Sequence, residues 1–320
     1  MHETNPTPAL PAAAVAGQLD GSMHLDGSMH DAQASGMAPV SVVVPCYRCA
    51  HIIEYTVASV AAQTVRPAEV LLVEDGSGDG TLEELHRVAG MYPPGWVKVI
   101  AMPRNSGPSA ARNNGWQHAS QPWIAFLDAD DSWHPQKLKL QLEALAQDPR
   151  AVLIGHDMNV QARSAPAPAL NYPMLVAHVT PYRLFLFRTQ FPTASVMLRR
   201  DLPFRFDESR RLAEDFLLWA QVLLSGHRCI RINQVLASYH KPPYGASGLS
   251  ADLVTMNKAV VEVRKALQKQ GLLHWPLWQL AAALGVLRYL RRWVITLKRR
   301  HGGVVLATGG AGIANAERKS

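Results

Sequence analysis

Between residues 40 and 147 the chain passes four times from a short apolar run to a stretch with helical spacing, and few folds accept that alternation. The runs, apolar but for Ser41, Glu69 and Lys98, lie at 40–44, 69–73, 97–101 and 123–127, with proline, glycine or acidic residues close by. Runs of this length, rich in branched aliphatic residues, read as strands buried on both faces. Between them, Ile53, Val57, Val60 and Ala61 recur at helical spacing, as do Leu82, Leu85 and Ala89. Thr81 and Glu84 have the spacing of a capping box. Pro108 stands at a favourable first helical position and opens residues 109–119. Pro135 opens another helix, with Leu138, Leu142 and Leu145 turned inward. The pattern predicts an α/β fold, a Rossmann-like, mostly parallel sheet with helices on both faces. Ligands of such sheets bind beyond the carboxyl ends of the strands. Pro45, Asp75 and Asp128 all fall at such ends.

The chemistry at those ends is acidic. The run 123–127 meets Asp128, Asp130 and Asp131. Three carboxylates at the mouth of a buried strand repel one another unless a cation or hydrogen-bond donors gather there. Oxygen ligands alone favour a hard divalent ion, Mg²⁺ or Mn²⁺, shared with a phosphate-bearing ligand. A polar strand-end turn that caps the next helix is the alternative. The run 69–73 ends in Glu74-Asp75-Gly76-Ser77-Gly78-Asp79-Gly80, a tight loop by composition.

At 320 residues the chain is long enough for a substantial core. Its net charge of +7 permits an anionic membrane or nucleic-acid partner without choosing between them. Three cysteines exclude a disulfide scaffold, and a reducing cytosol is the simpler compartment. The first cationic residue is Arg48, so no signal peptide is expected. The longest apolar stretch, 272–287, is shorter than the ~20 residues of a spanning helix and contains His274, Pro276 and Gln279.

Residues 1–37 read as a disordered tail containing LDGSMH twice in succession. In the second half, strands are expected at 151–157, 194–199, 228–232 and 235–239, and helices at 180–188, 213–225 and about 252–270. The Pro-rich residues 158–180 read as a mobile connection over the site. Leu253, Met256, Val260, Val263 and Leu267 form a stripe that suits packing, on the domain or on a partner helix as in a homodimer. In residues 277–300, Arg288, Arg291, Arg292, Lys298 and Arg299 share one arc of a helical wheel, and Leu287, Leu290, Trp293, Val294 and Leu297 the opposite arc. A basic amphipathic helix with an interfacial tryptophan suits an anionic membrane surface. No aromatic and basic interleaving accompanies it, so nucleic acid is not the expected partner. Residues 302–320 read as a flexible tail.

Five motifs in order, VSVVVPCY, EDGSGDGT, NSGPSAARNNG, FLDADD and Ala213-Glu214-Asp215, resemble those of family 2 glycosyltransferases across about residues 40–247. The resemblance implies a GT-A domain over 38–250, followed by a membrane-proximal helical region over 251–301. It implies a sugar nucleotide donor, a divalent metal, and inversion at the anomeric carbon. By resemblance, Pro45 and Tyr47 form the strand-end turn with Tyr47 against the base. Asp75 would accept from the base, commonly uracil, whose imide N–H suits a carboxylate. Arg112 would approach the base or diphosphate, Asp128 the ribose, and Asp130 the metal on the donor diphosphate, with Asp131 orienting the site. Asp215 matches the catalytic base and Glu214 an assisting neighbour, although both acids also suit a helix start. The family often has Asn where this chain has Arg48. The Q-x-x-R-W motif of processive members is missing, which argues against a processive synthase. In the stretch 238–247, His240 or Lys241 would stand in as a phosphate contact. The expected partners are a nucleoside diphosphate sugar, UDP-linked first, and a glycan or polyprenyl-linked acceptor of surface polysaccharide. The expected place is the cytoplasm, peripheral at the inner face of the cell membrane. A catalytically inert sugar-nucleotide or membrane-binding module of the same fold is the alternative.

Overall fold

Alternate residues of the first strand serve different helices. In β1 (Met37–Cys46), Val40, Val42 and Val44 join a core built with Ile53, Val57 and Val60 of α1 (Ile53–Ala61) and with Leu85 of α2 (Thr81–Ala89). Val43 turns the other way, against α3 (Pro108–His118), where Gly115 admits it. A Cβ on Gly115 would lie 2.4 Å from Val43 Cγ1, so only glycine lets α3 approach this closely. Helices therefore cover both faces, and the valines of β1 are fully buried. Each such side chain contributes about 1.5–3 kcal/mol.

The structure, a computed structural model, describes residues 36–186, 191–240 and 253–273, with Pro276, Gln279 and Ala283. The LDGSMH repeat, Lys241, the basic arc at 288–299 and the tail from 302 lie outside the described residues. The chain divides into two compact units, Met1–Leu273 and His274–Ser320. No helix among the described residues is long and apolar enough to cross a membrane.

One nine-stranded sheet runs through the first unit. Its parallel part is β3 (Val97–Ala101), β2 (Arg66–Glu74), β1 and β4 (Trp123–Phe126), in that order. The chain crosses over between β1 and β4, which makes a switch point at their carboxyl ends. Beyond β4 the sheet is mixed. β8 (Met197–Arg199) is antiparallel to both β4 and β6 (Ala151–Val160), and β9 (Arg228–Tyr239) is parallel to β6. The three-residue strands β5 (Asp131–Trp133) and β7 (Val176–His178) add to β9 antiparallel. The parallel expectation holds for the first half, where helical crossovers join the strands.

Three local expectations are corrected. The helix at 81 has no capping box: its N-cap is Gly80, and Asp79 accepts both the amide and the hydroxyl of Thr81, at 3.2 and 2.6 Å. The helix after Pro135, α4, begins at Lys137 (Lys137–Gln147). The two strands expected at 228–239 are one, because residues 232–234 bulge out where Gly155 and Asp157 pair with Arg231 and Val235. The Pro-rich connection is tied to that bulge: Asn171 N donates to Gln234 Oε1 at 2.9 Å and Leu175 N to Asn233 Oδ1 at 2.7 Å. Of the apolar stripe on α7 (Leu253–Lys269), Val263 and Leu267 are buried, and Gln270 beyond it bonds Gln221 of α6 (Glu214–Leu224). The short helix α5 (Pro181–Leu186) lies between β7 and β8 in sequence.

Gly76 sets the spacing of two loops at the carboxyl end of the sheet. Its φ is +62°, and an added Cβ would lie 2.4 Å from Asn105 N and 2.5 Å from Arg104 C. Gly76→Ala is expected to destabilise the protein by about 1–3 kcal/mol, since both a left-handed backbone and a backbone clash must be relieved. The check is the urea midpoint, which should fall at constant slope. An unchanged midpoint would mean that these loops part at no cost.

Candidate active site

The register of the parallel strands brings their ends level. Cys46 pairs with Glu74, and Val43 with Phe126. Asp75 follows β2 immediately, and its amide donates to Cys46 O at 2.9 Å. Its carboxylate is buried and accepts from Ser106 N at 2.7 Å and Gly107 N at 2.8 Å, the turn that opens α3. Burial pushes its pKa up, helped by the Glu74 charge and opposed by those two amides. Glu74 bends back to accept from Gly76 N and Ser77 N, at 3.0 and 2.6 Å, and so shapes the loop. Pro45 pairs with Val73 one residue before the end of β1, and Tyr47 stands 46% exposed past it. Arg48, the departure from the family pattern, has φ +50° and is held by Ser77 Oγ accepting its amide at 3.0 Å. Its guanidinium lies 5.2 Å from the Tyr47 ring centroid. A non-glycine residue in that region is strained and persists only when its surroundings fix it.

At the end of β4, Asp128 is part-exposed and Asp130 half-buried, whereas Asp131 is buried in β5. Thr56 of α1 fixes this turn by donating to Ala129 O at 2.7 Å and to Asp131 O at 3.0 Å. His240 sits at the far end of the β5–β9 pair, with Nε2 2.8 Å from Ser132 Oγ and Nδ1 3.0 Å from Gln161 O. Among the described residues no group of three His, Cys, Asp or Glu side chains is arranged to hold a metal ion. The donor set fits a divalent ion that arrives with a diphosphate: one carboxylate, Asp130, leaves the remaining positions to phosphate oxygens and water.

The third part of the site comes from the start of α6. Asp215 Oδ1 accepts from Phe216 N at 2.6 Å, and Oδ2 from Thr193 Oγ1 at 3.1 Å. Burial and then the adjacent Glu214 charge push its pKa up to about 6, against the pull of the Phe216 amide, Arg112 and Thr193. A carboxylate so tuned is ionised at neutral pH yet basic enough to take a proton. Ala213, just before, has φ +57°, the second strained non-glycine residue beside the site. Arg112 links this helix to β4. Its Nη2 donates to Asp128 Oδ1 at 2.7 Å and its Nη1 to Glu214 Oε1 at 3.0 Å. Burial opposes its charge, but Asp128 and Glu214 outweigh that and raise its pKa.

Asp75, Asp128 and Glu214 are thus joined to the turn and side chain of one helix, α3, and Asp215 adjoins Glu214. The sequence reading missed Thr193, Thr56 and Asn113. Asn113 clamps the backbone of Phe206, donating to its O at 2.8 Å and accepting from its N at 3.0 Å. Only the NNG run in the α3 motif marked Asn113. No local pattern marks Thr193 or Thr56.

The sequence profile of the family described as glycosyl transferase family 2 matches residues 41–203. The succinoglycan biosynthesis protein ExoO of Rhizobium meliloti (strain 1021) is 32% identical over 202 residues, 59% of this chain and 57% of that protein. The match thus spans little more than half of ExoO. The UDP-Glc:alpha-D-GlcNAc-diphosphoundecaprenol beta-1,3-glucosyltransferase WfgD of Escherichia coli is 27% identical over 186 residues, 58% of this chain and 69% of that protein. The fold is like that of the mannosyltransferase PcManGT from Pyrobaculum calidifontis, solved with GDP-Man and Mn²⁺, at a TM-score of 0.61 and 20% identity over 87% of this chain and 77% of that one. On the profile match, and with the fold and the order of the acidic motifs in agreement, this chain belongs to glycosyl transferase family 2.

Proposed function

We propose that the chain is an inverting glycosyltransferase. It moves one sugar from a nucleoside diphosphate donor, UDP-linked in the first instance, to a hydroxyl of a glycan or polyprenyl-linked glycan in surface polysaccharide assembly. The observation that carries this reading is the convergence of Asp75, Asp128 and Asp130 at the strand ends with the tuned carboxylate of Asp215. The names of ExoO and WfgD support the acceptor class, and WfgD the UDP-linked donor.

In this reading the donor base lies against Tyr47 beyond Pro45 and gives its imide N–H to Asp75, with the ribose near Asp128. The acceptor hydroxyl lies beside Asp215, on the face opposite the diphosphate. Asp215 takes the hydroxyl proton as that oxygen bonds to the anomeric carbon and the carbon–phosphate-oxygen bond breaks, which inverts the centre. Asp130 would hold a divalent ion, which when bound would offset the charge growing on the departing diphosphate. Glu214 and Asp131 orient the two acids, and His240 stands by the phosphates. The basic arc of residues 277–300 brings the domain to an anionic membrane at the inner face of the cell membrane.

Calorimetry on the full chain tests the donor half. UDP with Mn²⁺ is expected to bind at least tenfold more tightly than UDP with EDTA, GDP or CDP, and Mn²⁺ alone weakly. Asp130→Ala should remove the metal dependence. Equal UDP binding with and without Mn²⁺ would sink the metal assignment, and no nucleotide binding at all would favour the inert module.

A further inference from the structure

Two carboxylates from distant parts of the chain bond one buried cation, and a third, Asp215, acts on it electrostatically. Arg112 is 5% exposed and lies with its guanidinium carbon 5.4 Å from the Phe206 ring centroid. Its two terminal nitrogens are each committed to a different acid, Asp128 after β4 and Glu214 in the first turn of α6. Its Nε has no hydrogen-bond partner among the described residues. The group is therefore turned into the protein, spanning the seam between the strand that carries the donor acids and the helix that carries Asp215. The family resemblance implies a contact with the base or diphosphate, but a side chain this buried, with both terminal nitrogens already given to acids, is poorly placed to make one.

We propose that Arg112 is a positioning residue: its forked guanidinium pins the start of the helix bearing Asp215 to the end of the strand bearing Asp128, and offsets the charge that Glu214 brings beside Asp215. This rests on the reading of Asp215 as the base. A planar fork suits the task because it reaches two carboxylates at fixed angles, which an ammonium cannot do. Among the described residues, the charged groups that act most on Asp215 are Glu214 from its own helix and Arg112 from α3. Thr193 in the turn at Thr193–Ser195 gives it a neutral hydrogen bond, and Arg112, which acts on it, is also bonded to Asp128. Without Arg112, Asp128 and Glu214 lose the cation they share, and Asp215 is left beside Glu214 with no offsetting charge. Without Glu214, Asp215 keeps the cation and loses its repelling neighbour.

The test is the titration of Asp215 itself, in the full chain labelled with ¹³C at aspartate carboxyls, its resonance identified by its loss in D215N. R112M is expected to raise the Asp215 midpoint by about one pH unit and E214Q to lower it by about the same amount, as for an opposite or like charge close by. R112K should fall between wild type and R112M. With UDP-glucose or UDP-N-acetylglucosamine as donor, whichever is turned over, R112M should lower kcat at least tenfold and leave the UDP affinity within about threefold. A midpoint unmoved in R112M overturns the proposal, as does a tenfold loss of UDP affinity with the Asp215 titration intact, which would make Arg112 a donor contact. Should R112M fail to fold, an E214Q midpoint equal to wild type overturns it instead. Full transfer activity in D215N would remove the base reading by a separate route, because the carboxyl titrations do not depend on turnover.

Discussion

Asp215→Asn is expected to cut glycosyl transfer by about 10²–10⁴-fold, the usual contribution of a positioned general base, while UDP binding stays within about twofold. The asparagine keeps the size of the side chain and can still accept from Thr193 or Phe216, so the helix start should survive. What it loses is the ability to take a proton. The pH dependence gives a second readout. In the wild type, kcat/KM should rise through about pH 6 as Asp215 ionises and level off above it. Stability should run the other way. A carboxyl whose pKa is higher in the folded state than its unfolded value of about 3.9 takes up protons on folding. Its favourable contribution is complete below the unfolded value and is lost as pH rises to about 6. In Asp215→Asn that decline should disappear, so the melting temperatures of mutant and wild type should converge at acid pH and separate in the mutant's favour above pH 6. Transfer at wild-type rates would rule Asp215 out as the base. A melting difference independent of pH would show that its carboxyl is not perturbed by the fold.

The parts of this molecule that were legible are those whose physics is local. Buried parallel strands are continuous apolar runs, so β1 to β4 and the helices between them could be read from composition and period alone. The acids at their ends stood out because charge next to such a run needs a reason. In the mixed half β6, β8 and β9 fall where strands are expected, but β5 and β7 do not: they have three residues each, too few to show a period, and they exist because β9 offers edges to them. Asn233 and Gln234 interrupt the apolar run in sequence, which reads as two short strands, yet here they lie within one strand and hold residues 171–175. The cap at Thr81 was misread for a similar reason: Thr81 and Glu84 have the right spacing, but Asp79 reaches the free amide first. The partners of Arg112 were out of reach, since Glu214 is 102 residues away and only the fold brings it near. A side chain that reads as a ligand contact in one dimension is, in three, buried between two acids.

Asp75→Asn should both weaken the fold and change which nucleotide the protein prefers, and the two effects can be separated. In the structure one carboxylate oxygen accepts from Ser106 N and the other from Gly107 N. An asparagine must turn its NH₂ toward one of these amides, so a buried donor meets a donor. Leaving it unsatisfied costs about 1–3 kcal/mol, which calorimetric unfolding or a urea midpoint would register. If Asp75 only shapes this loop, every nucleotide should then bind more weakly by a similar factor. If it also receives the imide N–H of uracil, the result differs by base. Uracil presents a donor at ring position 3 and cytosine an acceptor. A carboxylate accepts only, and so favours uracil, whereas an amide can donate to cytosine. The wild type is thus expected to bind UDP at least tenfold more tightly than CDP, in line with about 1.5–3 kcal/mol for a hydrogen bond to a charged group. Asp75→Asn should erase most of that ratio, with UDP losing far more than CDP. A ratio unchanged in the mutant would confine Asp75 to the loop and leave base recognition to Tyr47 and the backbone around it.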